Sequence, residues 1–576
     1  MTEAPAFPAM TNDEAQAFLT GPDAPFEMEV TTIRGVEMRV WKSAPTNLRE
    51  IFDASEQFND RTFLVYEGER LTYSEHRKAV YKLAFELQTR WSVKKGHRVA
   101  VVMRNYPEWS ITFWATVIIG AIIVPLNAWG TGPELEYGIM NSGSRVVVVD
   151  AERLDRLLPH LETLDLNGLI AVRTAANLVG PADHFEDIVC PGDQYENLPL
   201  TNFQMVHIEP EDEVTIFYTS GTTGLPKGAL GTHRNIITNL MSSGFARFRA
   251  MLRRGEAPEP PDPDAPQKGA LISVPLFHAT GCHSILVPTL ASGGKLVLMH
   301  KWQPERALEL IESEKLASFG GVPAMVWQVL ESPQFGEHDL SSVESIGYGG
   351  APSAPELVER IKQEFPDVAS SNGYGLTETS SITTLNLAED YQNRPESAGV
   401  PVAVCDLKVV DEEGNEVAEG EVGELWIKGP NVVKGYWNRP DATAESFTDG
   451  WLHSGDLVRI DEEGFVFILD RAKDMLIRGG ENIYCVEVED ALYAHPAIMD
   501  AAVVGIPHRV LGEEVGAVVQ IAPGHEVSYE ELKAFVGERL AAFKIPIRID
   551  MQDEPLPRNA NGKILKAELR KRYAEA

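Results

Sequence analysis

The stretch "TIFYTSGTTGLPKGAL", Thr215 to Leu230, sets a β-branched and aromatic run against a small-residue loop holding Gly221, Gly224, Gly228, Pro226 and Lys227. The first half reads as a buried strand. The loop after it offers many backbone N–H groups with little side-chain obstruction, which is how a chain grips phosphate. The hydroxyls of Thr219, Ser220, Thr222 and Thr223 and the ammonium of Lys227 add donors that an ordinary glycine-rich turn lacks. Because Lys227 is followed by Gly228, the loop departs from the mononucleotide P-loop, which needs Ser or Thr there, and a kinase or P-loop ATPase is disfavoured. Two further stretches, "YGGAPSA" (348–354) and "NGYGLTET" (372–379), combine glycines that let a flat ring approach the backbone with Tyr374, an aromatic face on which a base could stack.

The elements that must position these residues form a large molecule. At 576 residues the chain exceeds one hydrophobic core, so two or more domains are expected. Hydrophobic residues at 44% and charged residues at 24% are those of a globular protein. The 85 acidic against 51 basic residues give a formal charge of −34, which repels nucleic acid and anionic lipid, so no nucleic-acid partner is expected. An anionic ligand then requires positive charge focused inside a cleft. Cys190, Cys282, Cys405 and Cys485 lie far apart without a CxxC pair, which argues against a disulfide framework or zinc site and fits a reducing cytoplasm. The first residues, "MTEAPAFPAMTNDEAQAF", have neither basic start nor apolar core, so no signal or transit peptide is expected. The apolar run Ile111–Trp129 is broken by Pro125 and Asn127 and reads as a buried helix entering a buried strand, not a transmembrane segment.

Strand-like runs ("RVAVVM", "AIIVPL", "RVVVVD", "TIFYTS", "ALISVPLF", "KLVLM") alternate with helical ones, which predicts mainly parallel sheets covered by helices. The arginines of "RFRAMLRRG" (Arg247, Arg249, Arg253, Arg254) are expected on a solvated helix face, and the Pro-rich acidic stretch 255–269 reads as a mobile surface insertion without chemistry. From about 400 to 470 the texture shifts to short runs with frequent turns, a small antiparallel sheet or distorted β-barrel. Beyond "DRAKD" a second α/β pattern begins. There Ser528 and Glu531 form a capping box, and Leu532, Phe535, Val536, Leu540 and Phe543 predict a helix of about four turns. The expected architecture is α/β: a large N-terminal domain, 1–470, of parallel sheets, helices and the barrel-like part, and a small mobile C-terminal domain, 471–576.

"YTSGTTGLPKG" resembles the phosphate loop of the adenylate-forming superfamily, which holds acyl-CoA synthetases, luciferases and peptide-synthetase adenylation domains. The resemblance runs in family order from about Leu48 to Lys566, nearest to medium- and long-chain fatty acid–CoA ligases. It implies that residues 219–224 (Thr219, Ser220, Gly221, Thr222, Thr223, Gly224), Lys227, Gly349, Gly350, Ala351, Asn372, Gly373, Tyr374 and Gly375 bind ATP. Thr377 would contact the nucleotide phosphate and Glu378 would hold Mg²⁺. By the same resemblance Asp456 accepts from the ribose hydroxyls, Arg471 is a cation for the nucleotide, and Lys563 in "LPRNANGKILK" reaches the bond-forming centre. Lys473 falls at the hinge, and Gly479, Gly480 and Glu481 of "IRGGENIY" line the coenzyme A path. His278 of "PLFHATG" stands at the acyl-carboxylate position, where relatives that neutralise a substrate amine carry aspartate. The expected acyl pocket adds Ala279, Gly281, Cys282, Val322, Met325 and Trp327, an apolar wall suited to a medium or long chain or a ring.

The implied reaction joins ATP and a carboxylic acid to acyl-AMP and pyrophosphate, then passes the acyl group to coenzyme A. Alternatives are transfer to an amine or carrier protein, a luciferase-like oxidation, or a non-catalytic AMP-binding regulator. A homodimer is compatible with the resemblance.

Overall fold

The structure is a computed structural model; it describes residues 7–574 except 176–180, 220–224, 259–264, 351–352, 354, 480 and 559–563. Pro107 opens the helix Pro107–Ile118, where a missing N–H costs nothing, and every residue of that helix is buried. It leads into the fully buried strand Ile122–Pro125. The long apolar run is thus a core helix and strand, and among the described residues no helix is long and apolar enough to cross a membrane.

That strand lies in a seven-stranded sheet, parallel to Arg98–Val102, which in turn pairs with Val146–Asp150. One edge is closed by the antiparallel hairpin Glu213–Thr219 and Lys227–Thr232. A nine-stranded sheet carries six parallel strands, from Ala369–Tyr374 through Ser345–Gly349 and Ser318–Gly321 to Gly269–Ile272, Lys295–Leu298 and Thr62–Tyr66, with antiparallel edges. Apolar side chains of both sheets, Val101 and Ile123 from one and Phe63 and Ile272 from the other, meet the helices Tyr73–Thr89 and Pro107–Ile118 in one core. A five-stranded antiparallel sheet spanning 406–471 follows. The smaller C-terminal domain has its own five-stranded sheet and its own core of Leu476, Val488, Val503, Val515 and Leu532. The fold is the expected α/β arrangement of a large and a small domain.

Two local expectations are corrected. The C-terminal helix spans only Tyr529–Gly537, with Ser528 accepting from the Glu531 N–H; Leu540 and Phe543 reach the same core from beyond its end, Phe543 from the short turn Ala542–Lys544. Helical spacing past Gly537 therefore reflected burial and not continued helix. The arginine-rich end of helix His233–Arg253 is only partly a solvated face: Arg247 is exposed, but Arg249 and Arg253 are buried. Arg253 makes two 2.6 Å bonds to the Asp390 carboxylate and a third to the Met10 carbonyl, while Arg249 donates to the Pro401 carbonyl. These guanidinium groups clasp the N-terminal segment and the 388–401 segment to the helix. Of the acidic stretch 255–269, residues 259–264 lie outside the described residues.

Where the small domain meets the large one, Asp490 of helix Cys485–Tyr493 is pushed up to about 8 from the ordinary 3.8, by burial first, then by Glu489 beside it and by Glu356 and Glu396 of the large domain. The folded chain thus keeps a proton that the unfolded chain releases near pH 4, and the stability this contributes is lost as pH rises through 8. Asp490→Asn is expected to flatten the fall in melting temperature between pH 5 and 9; identical slopes for both proteins would contradict the assignment. Removing one partner of a buried ion pair typically costs about 3 kcal/mol or more, so Arg253→Met should lower unfolding free energy by about that amount in urea titrations.

Candidate functional site

Thr219 pairs with Lys227 across the strand hairpin, and its hydroxyl donates to the Lys227 carbonyl at 3.3 Å. Thr219 and Lys227 are the last register partners of this hairpin. Ser220, Gly221, Thr222, Thr223 and Gly224 themselves lie outside the described residues. Strand Lys227–Thr232 is bonded on its other side to segment 434–437: Lys434 N–H to the Leu230 carbonyl, Leu230 N–H to the Gly435 carbonyl, and Trp437 N–H to the Gly228 carbonyl, at 2.8–3.0 Å. This lays Tyr436 beside Ala229 of that strand. The Lys227 ammonium stands 4.9 Å from the Tyr436 ring centroid, a cation–π distance.

The Tyr436 hydroxyl donates to Glu378 Oε1 at 2.7 Å, and the Glu378 carbonyl accepts from the Val433 N–H at 2.9 Å. Lys227 and Glu378, 151 residues apart in the chain, thus meet on opposite parts of one tyrosine. Burial, then the Glu378 charge, pushes the Tyr436 phenol far above its ordinary range, so it remains a donor. Thr377 and Glu378 sit half-buried on the turn Thr377–Thr379.

A second convergence lies across the sheets. Asp456 and Arg471 are register partners in adjacent strands, and the Arg471 Nε is 2.7 Å from Asp456 Oδ1. The Tyr374 hydroxyl donates to Asp456 Oδ2 at 2.6 Å. Asp456 is 4% exposed, and both its oxygens are engaged by the protein, leaving about two of a carboxylate's four lone-pair sites. Burial, then Asp456, raises the Tyr374 phenol well above its usual value. Burial works against the Arg471 charge, but Asp456, Tyr374 and Glu378 outweigh it and raise the guanidinium.

Strand Ala369–Tyr374 sets Asn372 and Gly373 beside Tyr348 and Gly349 in parallel register. Gly375 follows, and a Cβ there would stand 1.4 Å from the Ser381 carbonyl oxygen, so the chain's own backbone demands this glycine. Gly350 directly follows the neighbouring strand; Ala351 lies outside the described residues.

Around His278, the Asn105 amide brackets the preceding loop, donating to the Val274 carbonyl and accepting from the Leu276 N–H. His278 lies beside Phe277, 4.6 Å between ring centroids, and its carbonyl accepts from the Cys282 N–H. Residues Thr280–Leu286 form a π-helix, a rare geometry frequent at functional sites. The expected pocket wall divides. Ala279 and Val322 are nearly buried, Met325 borders the core shared by the two large sheets, and Trp327 packs against a second core. Gly281 is pressed against the Pro275 carbonyl. Cys282, expected to leave room for the acyl group, is fully buried within the main core, because the π-helix turns it inward against the sheets.

Lys473 lies two residues beyond Arg471; partial desolvation and that charge lower its ammonium. Gly479, at φ +62°, turns the short hairpin between Leu476–Arg478 and Glu481–Ile483, so the left-handed turn alone accounts for glycine there; Glu481 is exposed. Gly480 and Lys563 lie outside the described residues. Sequence reasoning missed Tyr436. The available signal was "VVKGYW", an aromatic pair directly after a glycine inside an otherwise loop-like stretch.

Residues 51–437 match the AMP-binding enzyme family, and residues 487–563 match the AMP-binding enzyme C-terminal domain. A feruloyl-CoA synthase of Amycolatopsis sp is 36% identical over 514 residues, 89% of this chain and 96% of its own. The long-chain-fatty-acid–CoA ligase of Bacillus subtilis (strain 168) is 34% identical over 542 residues, 90% of this chain and 92% of its own. The crystal structure of an anthranilate CoA ligase in complex with anthranoyl-AMP matches with a TM-score of 0.80 at 25% identity, covering 92% of this chain and 97% of that one. The family match covers most of the chain and these relatives extend over nearly all of it, so the chain belongs to the AMP-binding, adenylate-forming enzymes and is an ATP-dependent, AMP-forming carboxylic acid–CoA ligase.

Proposed function

We propose that this ligase activates an apolar carboxylic acid, medium- or long-chain or bearing a ring, and that the residues assembled around Tyr436 and Asp456 hold the nucleotide while it does so. The observation that carries this reading is the pair of convergences: Lys227 and Glu378 on Tyr436, Tyr374 and Arg471 on Asp456. The first would supply charge for phosphates and the second would meet a ribose and base. The names of the relatives, a feruloyl-CoA synthase and a long-chain-fatty-acid ligase, support both ring and chain acids as substrates.

A carboxylate attacking the α-phosphorus of ATP brings two anions together, so the site must place positive charge where negative charge develops. Lys227, Thr377 and the loop N–H groups would do this from one side, and Lys563 from the other. Glu378 fits Mg²⁺: its Oε1 accepts from Tyr436 and leaves the second oxygen available, and a cation that keeps several waters needs only one or two protein carboxylates besides phosphate oxygens. When bound, Mg²⁺ would neutralise phosphate charge. His278 would orient the acid carboxylate, which itself attacks, so no side-chain nucleophile is required. The bond formed is carboxylate oxygen to α-phosphorus; the bond broken releases pyrophosphate. Coenzyme A thiolate then attacks the acyl carbon and AMP leaves.

The boundary expected at 470/471 is proposed one residue later, because strand Val466–Arg471 ends the five-stranded sheet, with Lys473 as the hinge that would exchange Lys563 for Gly479 and Glu481. Asp470 supports a junction there: its carboxylate accepts from the Cys485 N–H at 2.5 Å and tethers the first helix of the small domain.

Pyrophosphate release from ATP and Mg²⁺ with a panel including palmitate and ferulate, with and without coenzyme A, tests the reading. Release with coenzyme A consumption supports it; no release with any acid overturns it. Lys563→Ala is expected to abolish adenylate formation while thioester formation from supplied acyl-adenylate stays within a few-fold, and equal loss of both would contradict the two-posture account. Tyr436→Phe keeps the ring beside Lys227 but removes a hydrogen bond to a charged group, worth about 1.5–3 kcal/mol. A tenfold or larger loss of kcat/KM for pyrophosphate release should follow.

A further inference from the structure

Behind both halves of the site runs the helix His233–Arg253, and Asn239 on it is fully buried. Its amide is shared between two segments that the chain brings from far apart. Nδ2 donates to the His283 carbonyl at 3.0 Å and the Ser284 hydroxyl at 3.3 Å, both on the π-helix that follows His278. Oδ1 accepts from the Ile382 N–H at 3.0 Å, three residues past the Thr377–Thr379 turn. Two struts cross the same gap directly: His283 Nδ1 donates to the Ser380 carbonyl at 3.2 Å, and the Ser284 hydroxyl donates to the Ser381 hydroxyl at 2.8 Å.

The segment so held is strained. Ser380 and Ser381 have φ of +55° and +103°, values that non-glycine residues keep only when surroundings fix them. Burial lowers the His283 imidazole to about 4, so it stays neutral and its role is a fixed hydrogen bond. From Ile382 the network continues: its carbonyl accepts from Asn431, and the backbone bond from Val433 N–H to the Glu378 carbonyl closes the ring.

We infer that Asn239 is a positioning residue: one amide fixes the separation between the segment carrying His278 and the turn carrying Thr377 and Glu378, and so sets how closely the acid carboxylate meets the α-phosphorus. This rests on the ligase reading above. An interaction that governs separation acts on the joining step and not on either substrate's own affinity, and misplacement by about 1 Å can cost about a hundredfold. Once acid and AMP are covalently joined, that separation no longer matters.

Pyrophosphate release should therefore fall about 10- to 100-fold in kcat for Asn239→Ala. KM for ATP and for the best acid of the panel, and thioester formation from supplied acyl-adenylate, should each stay within about threefold. Ser284→Ala, which cuts one strut and the longer of the two Asn239 Nδ2 bonds but leaves Asn239 bonded to His283 and Ile382, should show the same pattern at about three- to tenfold, and Ser284→Thr, which keeps the hydroxyl, should restore the rate. Parallel loss of both half-reactions, loss in KM alone, or an unchanged Ser284→Ala overturns the inference while leaving an active wild type as a ligase. A wild type that forms no adenylate removes the ligase reading and this inference with it.

Discussion

The Tyr436 phenol is the point on which the cationic side and the acidic side of the site lean together. An ammonium rests near its face and a carboxylate takes its hydroxyl proton in a hydrogen bond. In a chain of formal charge −34 an unsupported cation near the surface would be neutralised by the nearest carboxylate. Lys227 is set instead beside an aromatic face, which attracts it without satisfying its three donors. Glu378 is likewise held by a neutral donor that leaves an oxygen free. Both charges are thereby kept in place without cancelling each other.

At Asp456 a neutral phenol again holds a carboxylate, but there a guanidinium is paired with it directly. Neither arrangement could be built from one element. The hairpin supplies Lys227, the nine-stranded sheet supplies Tyr374 and the turn after it, and the five-stranded sheet supplies Asp456 and Arg471. Segment 434–437 bonds to the hairpin strand and so stitches the first of these sheets to the chain between strands of the last. Buried amides behind the site, Asn235, Asn239 and Asn431, tie down the loops that no strand holds.

Much of this was legible in the sequence because its signals are local. Alternating apolar runs and helical spacing gave the α/β layout, and the interrupted run at 111–129 was a core helix and strand as expected. The spacing of Asp456 and Arg471 anticipated two strands, and their side chains are paired. What stayed hidden depends on tertiary contact. Tyr436 is ordinary in sequence and gains its place only when a loop meets a strand more than 200 residues away. Arg249 and Arg253 look solvated until the N-terminal segment and the 388–401 segment close over them. Cys282 looks like a pocket residue until the π-helix turns it into the core. The spacing of Leu540 and Phe543 showed that they are buried but not that the helix ends first.

The central claim is that Lys227 with Glu378 and Asp456 with Arg471 bracket a single nucleotide. A crystal structure of the protein with AMP and Mg²⁺ tests it most directly. The expected result is the phosphate beside Thr377 and Lys227, the metal at Glu378, and the ribose hydroxyls on the remaining lone pairs of Asp456. Nucleotide bound elsewhere, or an Asp456 carboxylate that contacts only Tyr374 and Arg471 while AMP is present, would contradict it.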